Sequence, residues 1–299
     1  MHIPTGMMDG AVCPVTAVVA AAGIGAAAWA ALKSDEKPEV LKFASVSALI
    51  FAAQMVNFPV ASGTSGHLLG GVLASALLGT PFGVLALGLV LAVQCLLFSD
   101  GGVSLLGANI VNMSLIGAGL GGLIAGSVRG RSPLSLARLG FAAWISVPLA
   151  ALACSVELAL SGAVPFATSA PAMLGTHAVI GAGEALITVL AFSLLSAPAA
   201  TTSRKGALAP ALAAIVIALV LSPFASGLPD GLEWVASRLG FLHESAPAFV
   251  APLAEYSLSA SLPAVLSTGL AGLAGVLVVF VLGSAVSLAW NTPRLCRVS

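Results

Sequence analysis

The chain has 299 residues, 59% of them hydrophobic and 7% charged, with a formal net charge of zero and a mean hydropathy of +1.10. A soluble domain carries about 25% charged residues, so the composition excludes one and specifies an integral membrane protein bathed in lipid. Zero net charge and the absence of a basic block exclude a nucleic-acid partner. Four scattered cysteines (Cys13, Cys95, Cys154, Cys296), none in a C-x-x-C pair, argue against a disulfide framework or a thiolate metal site.

Apolar runs recur along the whole length and predict an all-α polytopic bundle of about nine transmembrane helices rather than a β-barrel. No basic residue precedes the first run, so no cleavable signal peptide is expected. Helix 1 is expected over about 11–32, ending at Lys33–Lys37, and helix 2 over about 41–60, leading to Gly63-Thr64-Ser65-Gly66-His67. A short helix 3 (66–78) closes at Gly79-Thr80-Pro81. Helix 4 (82–98) turns through Ser99-Asp100-Gly101-Gly102 into helix 5 (103–128) and the basic loop Arg129-Gly130-Arg131. Helices 6 (139–160), 7 (173–195) and 8 (207–221) follow. A polar segment over 223–261 then precedes helix 9 (263–290). The domain division is 1–200, with seven helices, and 201–299, with two helices flanking the 223–261 loop.

With nine spans, ten of the eleven basic residues fall on one side: Lys33, Lys37, Lys42, Arg129, Arg131, Arg138, Arg204, Lys205, Arg294 and Arg297, with Arg238 the exception. The positive-inside rule makes that side cytoplasmic. The amino terminus is then outside and the carboxyl terminus inside, in a plasma (inner) membrane protein. His2, His67, Asp100, His177 and the 223–261 segment share the outer face.

That shared face matters because a histidine at position 2 is a chelator by itself. The α-amine of Met1, the amide nitrogen of His2 and its imidazole Nδ1 close adjacent five- and six-membered rings on one ion. Three coplanar nitrogens plus one more donor suit Ni(II) or Cu(II), and low-spin Co(II) accepts them. His67 is the candidate for the fourth corner. His177 reads as a further ligand, a supporting donor or a structural hydrogen bonder. Glu157 and Glu184 lie in apolar helices, where a carboxylate is costly and must face the bundle interior. Glu157 reads as structural. Glu184, two turns below His177, reads either as support and charge compensation for the metal or as an interhelical hydrogen bond. A competing motif is G-x-S-G-x-x-x-G at Gly63–Gly70, the pattern of rhomboid intramembrane proteases, with Ser65 as nucleophile and His177 as base. No Walker A sequence occurs, so no P-loop nucleotide site is expected on this chain.

Several ordered motifs resemble the CbiM/NikM family, the substrate-binding subunits of energy-coupling-factor (ECF) cobalt and nickel importers. They are Met1-His2-Ile3-Pro4-x-Gly6, Asn57-Phe58-Pro59-Val60, Gly63–Gly70, Gln94-x-Leu96-Leu97-Phe98-x-Asp100-Gly101-Gly102, Gly107-Ala108-Asn109-Ile110-x-Asn112-Met113 and His177-x-x-Ile180-Gly181-x-Gly183-Glu184-Ala185. In the tail, Pro229-Asp230-Gly231-Leu232-Glu233-Trp234 and Ala254-Glu255-Tyr256-Ser257 resemble the PDGLE domain of the NikN-type accessory subunit, which suggests a NikMN-type fusion. The resemblance implies a metal held by Met1, His2 and His67, with Ser65, Asp100, His177 and Glu184 as supporting candidates. It implies no catalytic residues and no resident cofactor, only transported Ni2+ or Co2+, with a slight lean to nickel. It implies partners, a transmembrane coupling subunit and cytoplasmic ATPase subunits. Thr5 stands where relatives commonly carry an acidic residue, which leaves Asp9 or Asp100 to offset the metal's charge.

Overall fold

In the computed structural model the described residues are 2–128, 130–196, 204–243 and 251–291. Among the described residues seven helices are long and apolar enough to cross a membrane: α1 (Val12–Lys33), α4 (Thr80–Phe98), α5 (Val103–Ala125), α6 (Pro133–Leu160), α7 (Phe166–Leu195), α8 (Gly206–Phe224) and α10 (Ala264–Asn291). Between them lie α2 (Val40–Gln54), α3 (Gly71–Leu78) and α9 (Gly231–Leu239). At 15 and eight residues, α2 and α3 fall short of the roughly 20 residues a membrane crossing needs. Of the nine expected spans, the described residues therefore provide seven of full length. Large apolar side chains such as Leu160, Leu194 and Leu212 point outward, as a lipid-facing surface requires.

The short α2 is the hub. It is buried on nearly every face from Phe43 to Gln54, as a helix enclosed by others must be, and Phe43, Ile50 and Phe51 are fully buried. The two long helices of the carboxyl-terminal region, α8 and α10, pack against it, so that region is built into the bundle rather than appended to it.

Helix 2 was expected to run to 60, but α2 ends at Gln54. Proline has no N–H and disfavours helix for the residue before it, and the Asn57-Phe58-Pro59 stretch leaves as a strand. Phe58–Pro59 (β1) pairs antiparallel with Ser65–Gly66 (β2), Phe58 opposite Gly66. Helix 3 was expected from 66, but α3 starts at Gly71, so His67 sits on extended chain four residues before it. Helices 6 and 7 begin earlier than expected, at Pro133 and Phe166, because Pro133 stands where a first-turn proline is tolerated and Pro171 is absorbed early in α7.

The expected polar loop over 223–261 contains a helix. Asp230 caps α9, its Oδ1 accepting from Leu232 N (2.8 Å) and Glu233 N (2.9 Å) while Glu233 Oε2 accepts from Asp230 N (3.0 Å). This reciprocal pairing satisfies the helix start, and Leu232, Val235 and Ala236 bury the helix's apolar face.

Candidate metal centre

The amino terminus is threaded into the protein. Ile3 is fully buried, its N–H donates to Asn109 Oδ1 (2.9 Å), and its carbonyl accepts from Gly102 N (3.0 Å). The turn after α4 makes room for it. Gly101 has φ +89°, and a Cβ there would stand 2.6 Å from Asn109 Nδ2. Asn109 lies where α5 passes into a wider, π-type stretch at Ile110–Leu120, a distortion that tends to occur at functional positions.

This threading brings His2 and His67 together. Their rings stack with centroids 5.2 Å apart and planes 19° from parallel. His67 Nδ1 lies 3.0 Å from the Leu68 carbonyl. A carbonyl only accepts, so Nδ1 carries the proton and Nε2 is the unprotonated, ligand-type nitrogen. His2 Nε2 lies 3.2 Å from the Gln94 side-chain amide, which holds that edge of the ring. His2 Nδ1 is 3.1 Å from Asp100 Oδ1. Burial lowers the pKa of both imidazoles; His67, with the charge of the amino terminus adding to the effect, is brought down to about 3. Met1 lies outside the described residues, as do Arg129, Arg294 and Arg297. Among the described residues no group of three or more His, Cys, Asp or Glu side chains has metal-holding geometry. Any metal site here would thus draw on the terminal amine and backbone as well as on imidazoles.

The supporting candidates separate by what they touch. Glu184 accepts two backbone N–H bonds from the loop behind His67, Leu69 N to Oε2 (2.5 Å) and Gly70 N to Oε1 (2.9 Å), while Gln54 Nε2 donates to the Leu69 carbonyl (2.8 Å). It ties α7 to a loop rather than to a second helix, and it holds the segment that carries His67. Glu157 accepts from Asn112 Nδ2 at 2.7 Å. Asp100 contacts His2, whereas Asp9 is exposed. His177 sits well inside α7 rather than at its start. Its Nδ1 donates to the Met173 carbonyl (2.8 Å), and its buried Nε2 has no hydrogen-bond partner among the described residues.

Ser65 is not a nucleophile paired with His177. Its hydroxyl donates to the Leu228 carbonyl at 2.7 Å, and no hydrogen bond joins it to His177 among the described residues. The protease alternative fails on that geometry.

The start of α9 roofs the site. Ser65 N donates to the Pro229 carbonyl (2.8 Å). Gly66, His67, His177, Asp230 and Gly231 line one cavity of ≈ 10 Å3, room for about one water. A Cβ on Gly231 would lie 2.7 Å from Ile180 Cδ1 and 3.0 Å from His177 Nε2, so only glycine lets the helix approach this closely. Burial would raise the pKa of Asp230, yet it is held well below the usual carboxylate range by the positive charge of the amino terminus and by backbone N–H bonding. Gln94, Asn109, Asp230, Gly231 and Tyr256 carried no site role in the sequence reading. The Asp230–Glu233 spacing is that of a capped helix start, but nothing local places it over His67.

These features define a class: a multi-pass helical membrane protein whose amino terminus and His67 loop converge under a capping helix. Comparison with known proteins then gives the family. The model for the cobalt uptake substrate-specific transmembrane region, CbiM, matches residues 2–202, and the PDGLE domain matches 204–292. The chain belongs to the CbiM family and carries a PDGLE domain, a fusion of the NikMN type. It is 33% identical over 297 residues to a putative fused nickel transport protein NikMN of Archaeoglobus fulgidus, covering 96% of this chain and 98% of that one. It is 33% identical over 265 residues to a probable fused nickel transport protein LarMN of Lactiplantibacillus plantarum, covering 80% and 79%. A crystal structure of a truncated transition metal transporter superposes with a TM-score of 0.57 at 31% identity, covering 66% of this chain and 98% of that one.

Proposed function

We propose that this chain captures Ni2+ or Co2+ outside the cell, as the substrate-specific membrane component of an ECF-type importer whose coupling and ATPase subunits are separate chains. The observation that carries this reading is the stacked His2–His67 pair beside an amino terminus tied down at Ile3. The ligands are the Met1 amine, the His2 amide nitrogen and Nδ1, and His67 Nε2. A cation on His2 Nδ1 takes the place of the proton shared with Asp100 and leaves that carboxylate alongside as counter-charge. Glu184 holds the His67 loop. The four-nitrogen, in-plane donor set favours nickel over cobalt, and the relatives named for nickel transport support the same lean.

The test is calorimetric titration of nickel and cobalt into the detergent-purified parent protein, His2→Ala, His67→Ala and an amino-terminally extended form. His2→Ala and the extended form should lose binding, since the extension turns the Met1 amine into an amide and moves His2 out of chelating register. His67→Ala should retain a much weaker three-nitrogen site. Unchanged affinity in the extended form would remove the amine ligand, and unchanged affinity in His2→Ala would remove the whole site.

A further inference from the structure

Among the described residues only three non-glycine positions have positive φ: Ser99 (56°), Glu255 (54°) and Tyr256 (52°). All three meet at one place. Left-handed backbone is unfavourable for residues with a Cβ, and two such residues in succession persist only where surrounding contacts impose them. The contacts here are specific. Leu253 N donates to the Leu97 carbonyl (2.9 Å), and the Tyr256 ring stacks on Phe98 with centroids 4.7 Å apart and planes at 26°. Its hydroxyl donates to Asp100 Oδ2 at 2.5 Å. The other oxygen of that carboxylate lies 3.1 Å from His2 Nδ1. A chain of direct contacts thus runs from the carboxyl-terminal region through Tyr256 and Asp100 to His2, whose far nitrogen rests on Gln94.

We propose that Tyr256, the only tyrosine of the chain, is a positioning residue for the metal centre: it holds Asp100, Asp100 holds the His2 ring, and the carboxyl-terminal region thereby sets how residue 2 presents its nitrogens. This rests on the reading that the metal binds at His2 and His67. Ser99 and Gly101 shape the turn that aims Asp100 at both neighbours. The strained Glu255–Tyr256 turn lets the phenol reach Asp100 while the ring lies flat on Phe98. The second contact of the same region, at Pro229–Gly231, grips the His67 side, so the two imidazoles are steadied by two parts of one accessory segment.

Tyr256→Phe removes the hydroxyl and keeps the stack on Phe98. Partners that orient a metal-ligating histidine typically change affinity by about 10–100-fold. The full chain should lose nickel affinity by about that factor, with a shifted ligand-field absorption of the bound nickel and unchanged far-ultraviolet circular dichroism. The double variant Tyr256→Phe/Asp100→Asn should bind no worse than Asp100→Asn alone, because the hydroxyl acts through that carboxylate. Parent-like affinity and spectrum in Tyr256→Phe, or additive losses in the double variant, would overturn the proposal. A measurement free of mutation uses 3-fluorotyrosine. The single 19F resonance of the parent should move when nickel saturates the protein, and a resonance that stays put also overturns it. If the parent binds no nickel, or His67→Ala binds as well as the parent, the underlying site reading fails and this proposal with it. A binding parent with an equally binding Tyr256→Phe sinks the positioning role alone.

Discussion

Glu184→Gln tests how the His67 loop is held. In the parent, both carboxylate oxygens are used, one on Leu69 N and one on Gly70 N. Glutamine keeps one acceptor and turns an NH2 group toward the other N–H, so one charge-assisted bond is lost and two donors face each other. A hydrogen bond to a charged group contributes about 1.5–3 kcal/mol. His67 is two residues from Leu69, and Gln54 holds only the Leu69 carbonyl, so the loss falls on the placement of the loop. If that cost is met when metal draws His67 into place, nickel affinity falls about 10–140-fold, at 1.4 kcal/mol per factor of ten. Calorimetric titration of the purified variant measures it. The effect should vanish in a His67→Ala background, where the loop no longer carries a ligand. Affinity within about threefold of the parent, in protein that melts cooperatively, would refute the clamp, and so would an equal loss with and without His67.

Acid should weaken metal binding through the backbone rather than through His67. Its pKa of about 3 keeps the ring neutral and ready to bind across the working range, because a lowered histidine pKa extends the neutral form to lower pH. Nickel affinity should then fall about tenfold per pH unit from the amide proton, and about a hundredfold per unit once the amine also protonates below about 7.7–8.0. A further steepening near pH 6.5 in pH-dependent titrations would show that His67 titrates normally and contradict its burial. Gly231→Ala should loosen the roof: the added methyl meets Ile180 and a His177 ring fixed by the Met173 carbonyl. Overpacking of about 1–3 kcal/mol should lower the melting temperature and speed nickel release to an external chelator by about fivefold or more, and unchanged values of both would refute the contact.

Hydropathy made most of the helices legible, because a membrane span needs a long apolar run and writes it directly into the sequence. The places where sequence reading misplaced an element are those where a distant residue decides. Helix 3 looked continuous from Gly66, but Leu69 and Gly70 give their N–H groups to Glu184, 115 and 114 residues away, and the helix starts only at Gly71, after a left-handed Gly70. For α9 (Gly231–Leu239) a local cue lay in Asp230 and Glu233, three apart, yet the surrounding polar composition read as loop.

The candidate site follows the same division. His2 was legible because its chelating geometry is local to the first two residues, and His67 because glycines and position on one face singled it out. The counter-charges were legible only in part. A dication bound through one deprotonated amide leaves one positive charge in a buried place, so a carboxylate must stand nearby. With Thr5 uncharged, the sequence narrowed that requirement to Asp9 or Asp100 without choosing between them. Asp100 meets it from behind His2, and Asp230 faces His67 from a domain more than 160 residues along the chain. Asp230 escaped notice because its local role is complete by itself: an N-cap with a glutamate three residues on needs no further explanation. Its second role exists only because Pro229 and Leu228 are bonded to Ser65 and Thr64. The capping carboxylate that starts the helix is therefore held beside the imidazole, and in this fusion the accessory segment roofs the His2–His67 pair and, on the proposed reading, brings a carboxylate to balance a bound cation.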